Sequence, residues 1–297
     1  MMKNPLDEPD AILITGPTAS GKSALAIELA KRHGGVVVNA DSMQVYDTLR
    51  VLTARPSDDD MQGVPHCLYG HVPAGTLYST GEWLRDVTEL LPRLKAEGRL
   101  PVLVGGTGLY FKALTGGLSD MPSIPDAVRT HYRSRLIEEG SAPLHAELAV
   151  SDPAMAAVLN VLDGQRIVRA LEVMAASGRS IAEFQDKPGT MIIDPARAKK
   201  IIVLPERPLL HQRINGRFET MLEMGAEEEV RALLALDLPA DMPVMKAIGV
   251  SQIAAMFQGA MTRDEVLEKG AAATRQYAKR QMTWFRNQMD ESWVRRG

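Results

Sequence analysis

In the stretch GPTASGKS, the residues Gly16, Gly21, Lys22 and Ser23 fit the pattern G-x-x-x-x-G-K-[ST]. Backbone N–H groups of such a loop, with the positive end of the helix that follows, favour anionic oxygens. Lys22 adds a point charge, and the Ser23 hydroxyl suits Mg²⁺, the expected cofactor. Most chains with this loop bind ATP or GTP and move a phosphoryl group. Nucleotide binding is therefore the first expectation, and whether a phosphoryl group moves at all is a separate question.

The surrounding residues are those of a parallel α/β sheet. AILIT (11–15) is a short apolar run ending in the loop. KSALAIELAKRHG (22–34) has helical spacing, with Ala24, Ile27, Leu29 and Ala30 expected to pack and Gly34 at its end. The three valines of VVVNADSMQVY (36–46) read as a buried strand that runs into a polar turn. Apolar residues at 83, 84, 87, 90, 91 and 94 mark another helix, with Pro92 inside it, before a strand, glycine turn and helix in LPVLVGGTGLYFKAL (100–114). Ligands sit at the carboxyl ends of strands in open parallel sheets, so the turns after residues 15, 40 and 104 are expected to converge. From about 119 the texture is Pro-rich and then helical, and a strand returns in KKIIVLPE (199–206). The parse is a core of 1–118 and 196–297 with a helical insertion at 119–195. Helices are expected at about 207–236, 246–258 and 262–288.

Asp41 and Ser42 lie just past the second strand. They suit either an Asx turn or a carboxylate aimed at the phosphate site, and both readings stand. Thr107 in GGTG suits a helix cap equally well. In QRIVR, Gln165 and Arg169 share a helix face, and the pattern alone favours a solvated surface. TRQYAKRQMTWFRNQ (274–288) holds Arg275, Lys279, Arg280 and Arg286 and no acid. Its Tyr277 and Trp284 either contact RNA or dock on the core.

The bulk properties exclude several classes. The 297 residues carry a net charge of −3, so any nucleic-acid contact must rest on local basic faces. One cysteine rules out an internal disulfide framework, and no apolar run is long enough to span a membrane. MMKNPLDEPD has no apolar core of a secretory leader. His66, Cys67 and His71 lack metal-ligand spacing. A cytoplasmic, monomeric enzyme is expected.

GPTASGKS, NADSMQVY, VPHCLYG, GGTGLYFKAL, GQRIVRALEV, RFETMLEMGAEEEV, MKAIGV and TRQYAKRQMTWFRNQ stand in the order found in bacterial tRNA dimethylallyltransferases. The chain resembles that family from about residue 12 to 288. The resemblance implies a P-loop NTPase-like core with a helical insertion and C-terminal helices. It also implies transfer of a dimethylallyl group from dimethylallyl pyrophosphate to N6 of adenosine 37 in tRNA, so that the loop holds a departing diphosphate. By resemblance Gly16, Pro17, Thr18, Ala19, Ser20, Gly21, Lys22 and Ser23 bind the diphosphate, with Mg²⁺ at Ser23. Asp41 is then the base that takes the N6 proton, Thr107 assists the leaving group and aligns Asp41, and Arg217 lies near the diphosphate. The implied tRNA contacts are Asp41, Ser42, Met43 and Gln44; Arg129; Gln165, Arg166, Ile167, Val168 and Arg169; and Arg275, Lys279 and Arg280.

Two positions depart from the family pattern. Asp47 stands where an arginine is usual, and the usual GTAKP reads LTARP (52–56), with Arg55 keeping the lysine's charge. As in bacterial members, no zinc-finger extension is expected. The competing readings are a small-molecule kinase using the same loop, an isopentenyltransferase acting on free AMP, and an RNA-binding module that uses nucleotide only as a switch.

Overall fold

The structure is a computed structural model that describes residues 9–187 and 189–297; the first eight residues, in which no leader was read, lie outside it. Two compact units divide the chain, one ending at Thr115 and resuming over Ile192–Gly297, the other covering Gly116–Met191.

The first unit begins β1 (Ala11–Thr15), α1 (Lys22–His33), β2 (Val36–Asn39), α2 (Asp58–Met61), β3 (His66–Cys67), α3 (Thr80–Ala96), β4 (Pro101–Gly105) and α4 (Gly108–Gly116). After the second unit's α5 (Asp126–Glu139), α6 (Ser141–Ser151), α7 (Pro153–Val158), α8 (Gly164–Ser177) and α9 (Ile181–Gln185), it resumes with β5 (Ala198–Val203). It then adds α10 (Arg207–Glu223), α11 (Ala226–Leu234), α12 (Val250–Phe257), α13 (Arg263–Gln288) and β6 (Val294–Arg296).

All six strands run parallel in the order β3-β2-β4-β1-β5-β6. β1 is thus interior, pairing Ile14 with Val104 on one side and with Ile201 on the other. Both faces of the sheet are covered, which is why the strands read as continuous apolar runs rather than alternating ones. Ile12, Ile14, Val37, Val102 and Val104 pack against α1, whereas Leu13, Val36, Val38 and Leu103 join the larger core of α3, α4 and the C-terminal helices. This is a P-loop NTPase-like α/β fold.

Several details differ from the sequence reading. The buried stripe of α1 is Ala26, Ile27, Leu29 and Ala30; Ala24 is exposed, because at about 100° per residue it lies on the opposite side of the helix. The helix expected over 207–236 is two helices, broken where Gly225 takes φ 103°. The helix expected from 246 begins only at Val250, after a 3₁₀ turn at Pro243–Lys246. β6 was not foreseen: three exposed residues at a sheet edge leave no core-facing pattern.

The second unit has its own core, built on Leu144, Leu148, Ile167, Val168 and Leu171 among others. Ile167 and Val168 are 0% and 5% exposed. Their expected role as tRNA contacts is therefore corrected for the side chains: they pack inward, on the apolar face of α8.

Candidate active site

Three turns meet at the carboxyl ends of β1, β2 and β4 around a cavity of about 470 Å³. The loop residues Thr18–Ser23 form one wall, Asp41 and Gly105 another. Arg213 and Arg217, one turn apart on α10, close the third, and Gln44, Thr53, Tyr69 and Val104 complete the lining.

The loop is held by its own chemistry. A Cβ at Gly16 would press on the carbonyl of Val203 and the Ser20 hydroxyl, so β1 can turn beside β5 only with glycine there. Gly21 takes φ 90° and starts α1 without a side-chain cap. The Ser20 hydroxyl is buried with no hydrogen-bond partner among the described residues. Lys22 Nζ donates to the Pro17 carbonyl at 3.2 Å. Burial, opposed by the charge of Asp41, holds the Lys22 ammonium down at about 8. Burial likewise lowers Arg217 from its ordinary value, again against the pull of Asp41. A site that desolvates two cations across from one carboxylate is short of negative charge, and a diphosphate would supply it.

Asp41 is held by three hydrogen bonds, at its N–H, its carbonyl and Oδ1. Its N–H donates to Asn39 Oδ1 at 2.9 Å, while Asn39 Nδ2 donates to the carbonyls of Asp41 and Leu68, each at 3.0 Å. The Trp83 indole donates to the Asn39 carbonyl at 2.8 Å and stacks on Tyr110 with centroids 4.1 Å apart. Asp41 Oδ1 accepts from Met43 N–H at 3.0 Å, so the Asx turn is real. Oδ2 makes no hydrogen bond among the described residues, which leaves the functional reading intact. Gly105 must be glycine, because a Cβ there would overlap the Ala40 carbonyl.

Thr107 does not line the cavity. Its hydroxyl accepts from Ser42 N–H at 3.0 Å and donates to Ser42 Oγ at 3.2 Å, holding the turn that carries Asp41. Gly16 and Pro17 also lie outside the lining and shape the loop from behind. The Thr18 N–H is engaged by Gln281 Oε1 at 3.0 Å.

The family model described as IPP transferase matches residues 44–288, and one described as isopentenyl transferase matches residues 9–70. The chain belongs to the IPP transferase family. A tRNA dimethylallyltransferase of Rhizobium johnstonii is 76% identical over 99% of both chains, and one of Agrobacterium fabrum is 70% identical over 99% of both. The crystal structure of a tRNA isopentenylpyrophosphate transferase from Bacillus halodurans matches with a TM-score of 0.68 at 32% identity, covering 96% of this chain and 89% of that one. That of a eukaryotic dimethylallyltransferase acting on tRNA matches with a TM-score of 0.79 at 25% identity, covering 93% and 69%.

Within this IPP transferase the basic residues differ in availability. Lys279 and Arg280 are exposed on α13, Arg280 lying 5.6 Å over the Tyr277 ring, whereas Arg275 donates to Asn215 Oδ1 at 2.6 Å. Trp284 packs against Gly108 and the core, so for this aromatic the docking reading holds. Gln44 Nε2 donates to the carbonyls of Thr53 and Ala54, fixing a loop and the cavity wall together. In the second unit Gln165 and Arg166 are exposed, Arg166 3.3 Å from Asp163. Arg169 stands 3.5 Å from the buried Glu172, and Arg129 Nε is buried without a partner among the described residues.

At the departures from the family pattern, Asp47 is exposed and its carbonyl accepts from Arg55 at 2.9 Å. Arg55 lies across Gly70, so its charge serves the loop. Among the residues that the sequence reading missed, Arg213, Thr53, Tyr69 and Val104 line the cavity and Gln281 braces its loop. Arg213 was signalled by its i,i+4 spacing to Arg217. Tyr69 and Gln281 lie inside the stretches VPHCLYG and TRQYAKRQMTWFRNQ, but nothing in their own type or spacing singled them out.

Proposed function

We propose that this protein, acting as a cytoplasmic monomer, transfers a dimethylallyl group from dimethylallyl pyrophosphate to N6 of adenosine 37 in tRNA and releases pyrophosphate. The observation that carries this reading is the placement of Lys22 and Arg217 with the open oxygen of Asp41 on one cavity. The names of the relatives support the substrates. No helix of the described residues is long and apolar enough to cross a membrane.

In this reading the allylic C–O bond breaks as the N6–carbon bond forms. Negative charge grows on the departing diphosphate, where the loop N–H groups from Ala19 onward, Lys22 and Arg217 stabilise it. Arg213 supplies a second guanidinium on the same helix face. The adenine N6 is a poor nucleophile whose proton becomes acidic only as the new bond forms, and Asp41 Oδ2 accepts that proton. Thr107, through Ser42, keeps the carboxylate aimed.

Mg²⁺ keeps several waters and needs few protein oxygens beside the phosphates. The Ser23 hydroxyl, on the cavity wall beside Lys22, meets that need. When bound there the ion would offset charge on the leaving diphosphate. Adenosine 37 must leave its stack to reach Asp41, at a cost of a few kcal/mol that contacts to the anticodon arm offset. Lys279, Arg280, Gln165, Arg166, Arg169 and Arg129, with the Ser42–Gln44 turn, are the groups we assign to those contacts.

Product identity tests the reading. With dimethylallyl pyrophosphate and an anticodon stem-loop, the enzyme is expected to form isopentenyladenosine and one pyrophosphate per transfer, and no product with AMP. Sustained ADP formation from ATP without RNA would make it a kinase instead. Lys279→Ala and Arg280→Ala are each expected to weaken stem-loop binding and to reduce its log–log salt slope by about one. A slope equal to the parent's would remove that residue from the RNA interface.

A further inference from the structure

Gln281 is one of few polar side chains buried in the described structure, at 6% exposure, and the chemistry above makes no use of it. It lies in the last third of α13, yet its amide reaches off the helix to two turns distant in sequence. Oε1 accepts from the N–H of Thr18 in the phosphate loop at 3.0 Å, and Nε2 donates to the carbonyl of Gly106 at 2.9 Å. Thr18 N–H can only donate and the Gly106 carbonyl can only accept, so the amide faces one way. A Cβ at Gly106 would overlap Nε2, which explains the glycine at that position. The same imagined Cβ would stand 3.4 Å from Asp41 Oδ2, so the Gly106 turn also borders the carboxylate.

We propose that Gln281 is a positioning residue that sets the donor cradle and the Asp41 side of the cavity at their working separation. The inference rests on the function proposed above for the meaning of the two sides. Neither backbone group belongs to a strand ladder, so without the amide the buried Gly106 carbonyl is left unpaired, the part-buried Thr18 N–H loses its partner, and the two turns are free to shift apart. Asparagine offers the same planar donor–acceptor amide but is one methylene short. By holding Thr18 N–H away from the cavity, Gln281 also leaves the later N–H groups of the loop, from Ala19 to Ser23, to converge on the anion. The residue sits directly after the exposed Lys279 and Arg280, so one helix bears both the basic face and the brace.

The test is Gln281→Met, which keeps length and volume and removes both hydrogen bonds. It is paired with Gly106→Ala, which displaces the same amide from the other side. For each folded variant, the affinity for inorganic pyrophosphate, the affinity for an anticodon stem-loop and kcat are measured. Gln281→Met is expected to weaken pyrophosphate binding and to lower kcat, each by roughly 10- to 100-fold, with stem-loop affinity within threefold of the parent. The double variant is expected to be no worse than the poorer single one, because both remove one link. Pyrophosphate affinity and kcat within twofold of the parent in either folded single variant, with only the melting temperature lowered, would overturn the proposal and leave Gln281 a stability residue. If the parent forms no isopentenyladenosine the function fails independently, while the pyrophosphate measurement still decides Gln281.

Discussion

Asp41→Asn is expected to lower prenyl transfer by roughly 10²- to 10⁴-fold, the usual range for removing a general base. Pyrophosphate and stem-loop affinities should stay near those of the parent. Asparagine is the informative replacement because of what each carboxylate oxygen does. Oδ1 accepts from Met43 N–H, and an amide oxygen can do the same, so the Asx turn and its bonds to Asn39 and Thr107 survive. Only the capacity of Oδ2 to take a proton is lost. Alanine would remove the turn as well and confound the two effects. Single-turnover formation of isopentenyladenosine, measured beside the two binding constants, checks the result. Turnover within tenfold of the parent would take Asp41 out of the proton transfer.

Lys22→Met is expected to lower kcat/KM for the prenyl donor by about 10²- to 10³-fold, since it removes a cation from a desolvated site where charge develops. The same residue should set a pH limb in the parent. Its ammonium is held at about 8 in the free enzyme, chiefly by burial. Below that value it is charged and attracts the diphosphate; above it the neutral amine does not. kcat/KM should therefore be flat towards pH 7 and fall as pH rises through about 8, approaching tenfold per unit. Bound diphosphate favours the charged form, so the limb in kcat should lie at higher pH than the limb in kcat/KM. Lys22→Met should show neither. A parent profile flat to pH 9.5 would assign the limb, and the catalytic charge, elsewhere. Steady-state kinetics from pH 7 to 9.5 make the comparison.

The parts of this molecule that were legible in advance are those with local causes. The loop at 16–23 announces itself because each residue is chosen by what its neighbours demand: glycine where β5 crowds the chain, lysine and serine where phosphate arrives. β1, β2 and β4 read as buried strands because both faces are covered, and the turns that follow them could be placed on one edge of the sheet without coordinates. What escaped has causes remote in the chain. Gln281 bonds to Thr18 across 263 positions, and nothing near it in sequence marks a buried amide. The burial of Val168 beside Ile167 turns on how α8 is rotated against the helices packed on it, which its own residues leave open, whereas the exposure of Ala24 follows from the helical period of α1. Glu229, which accepts from the N–H groups of Arg50, Val51 and Leu52 and so secures the loop carrying Thr53, is likewise invisible in a run of glutamates.

The route of the chain through the second unit bears on how the protein is made. Ile192 and Ile193 both donate to the carbonyl of Leu114 at 3.0 Å, so the polypeptide returns beside the point from which it left, and Gly117 lies against Gly189 just beyond. Gly116–Met191 is a compact unit with its own core. Once that segment collapses on the ribosome, its two ends are neighbours. β5 then finds β1 as though across a tight connection, with little of the chain-closure entropy that a long coil would impose. The cradle is born in halves, early at β1 and late at β5 and α13, and the self-contained excursion between them keeps the late half within reach of the early one.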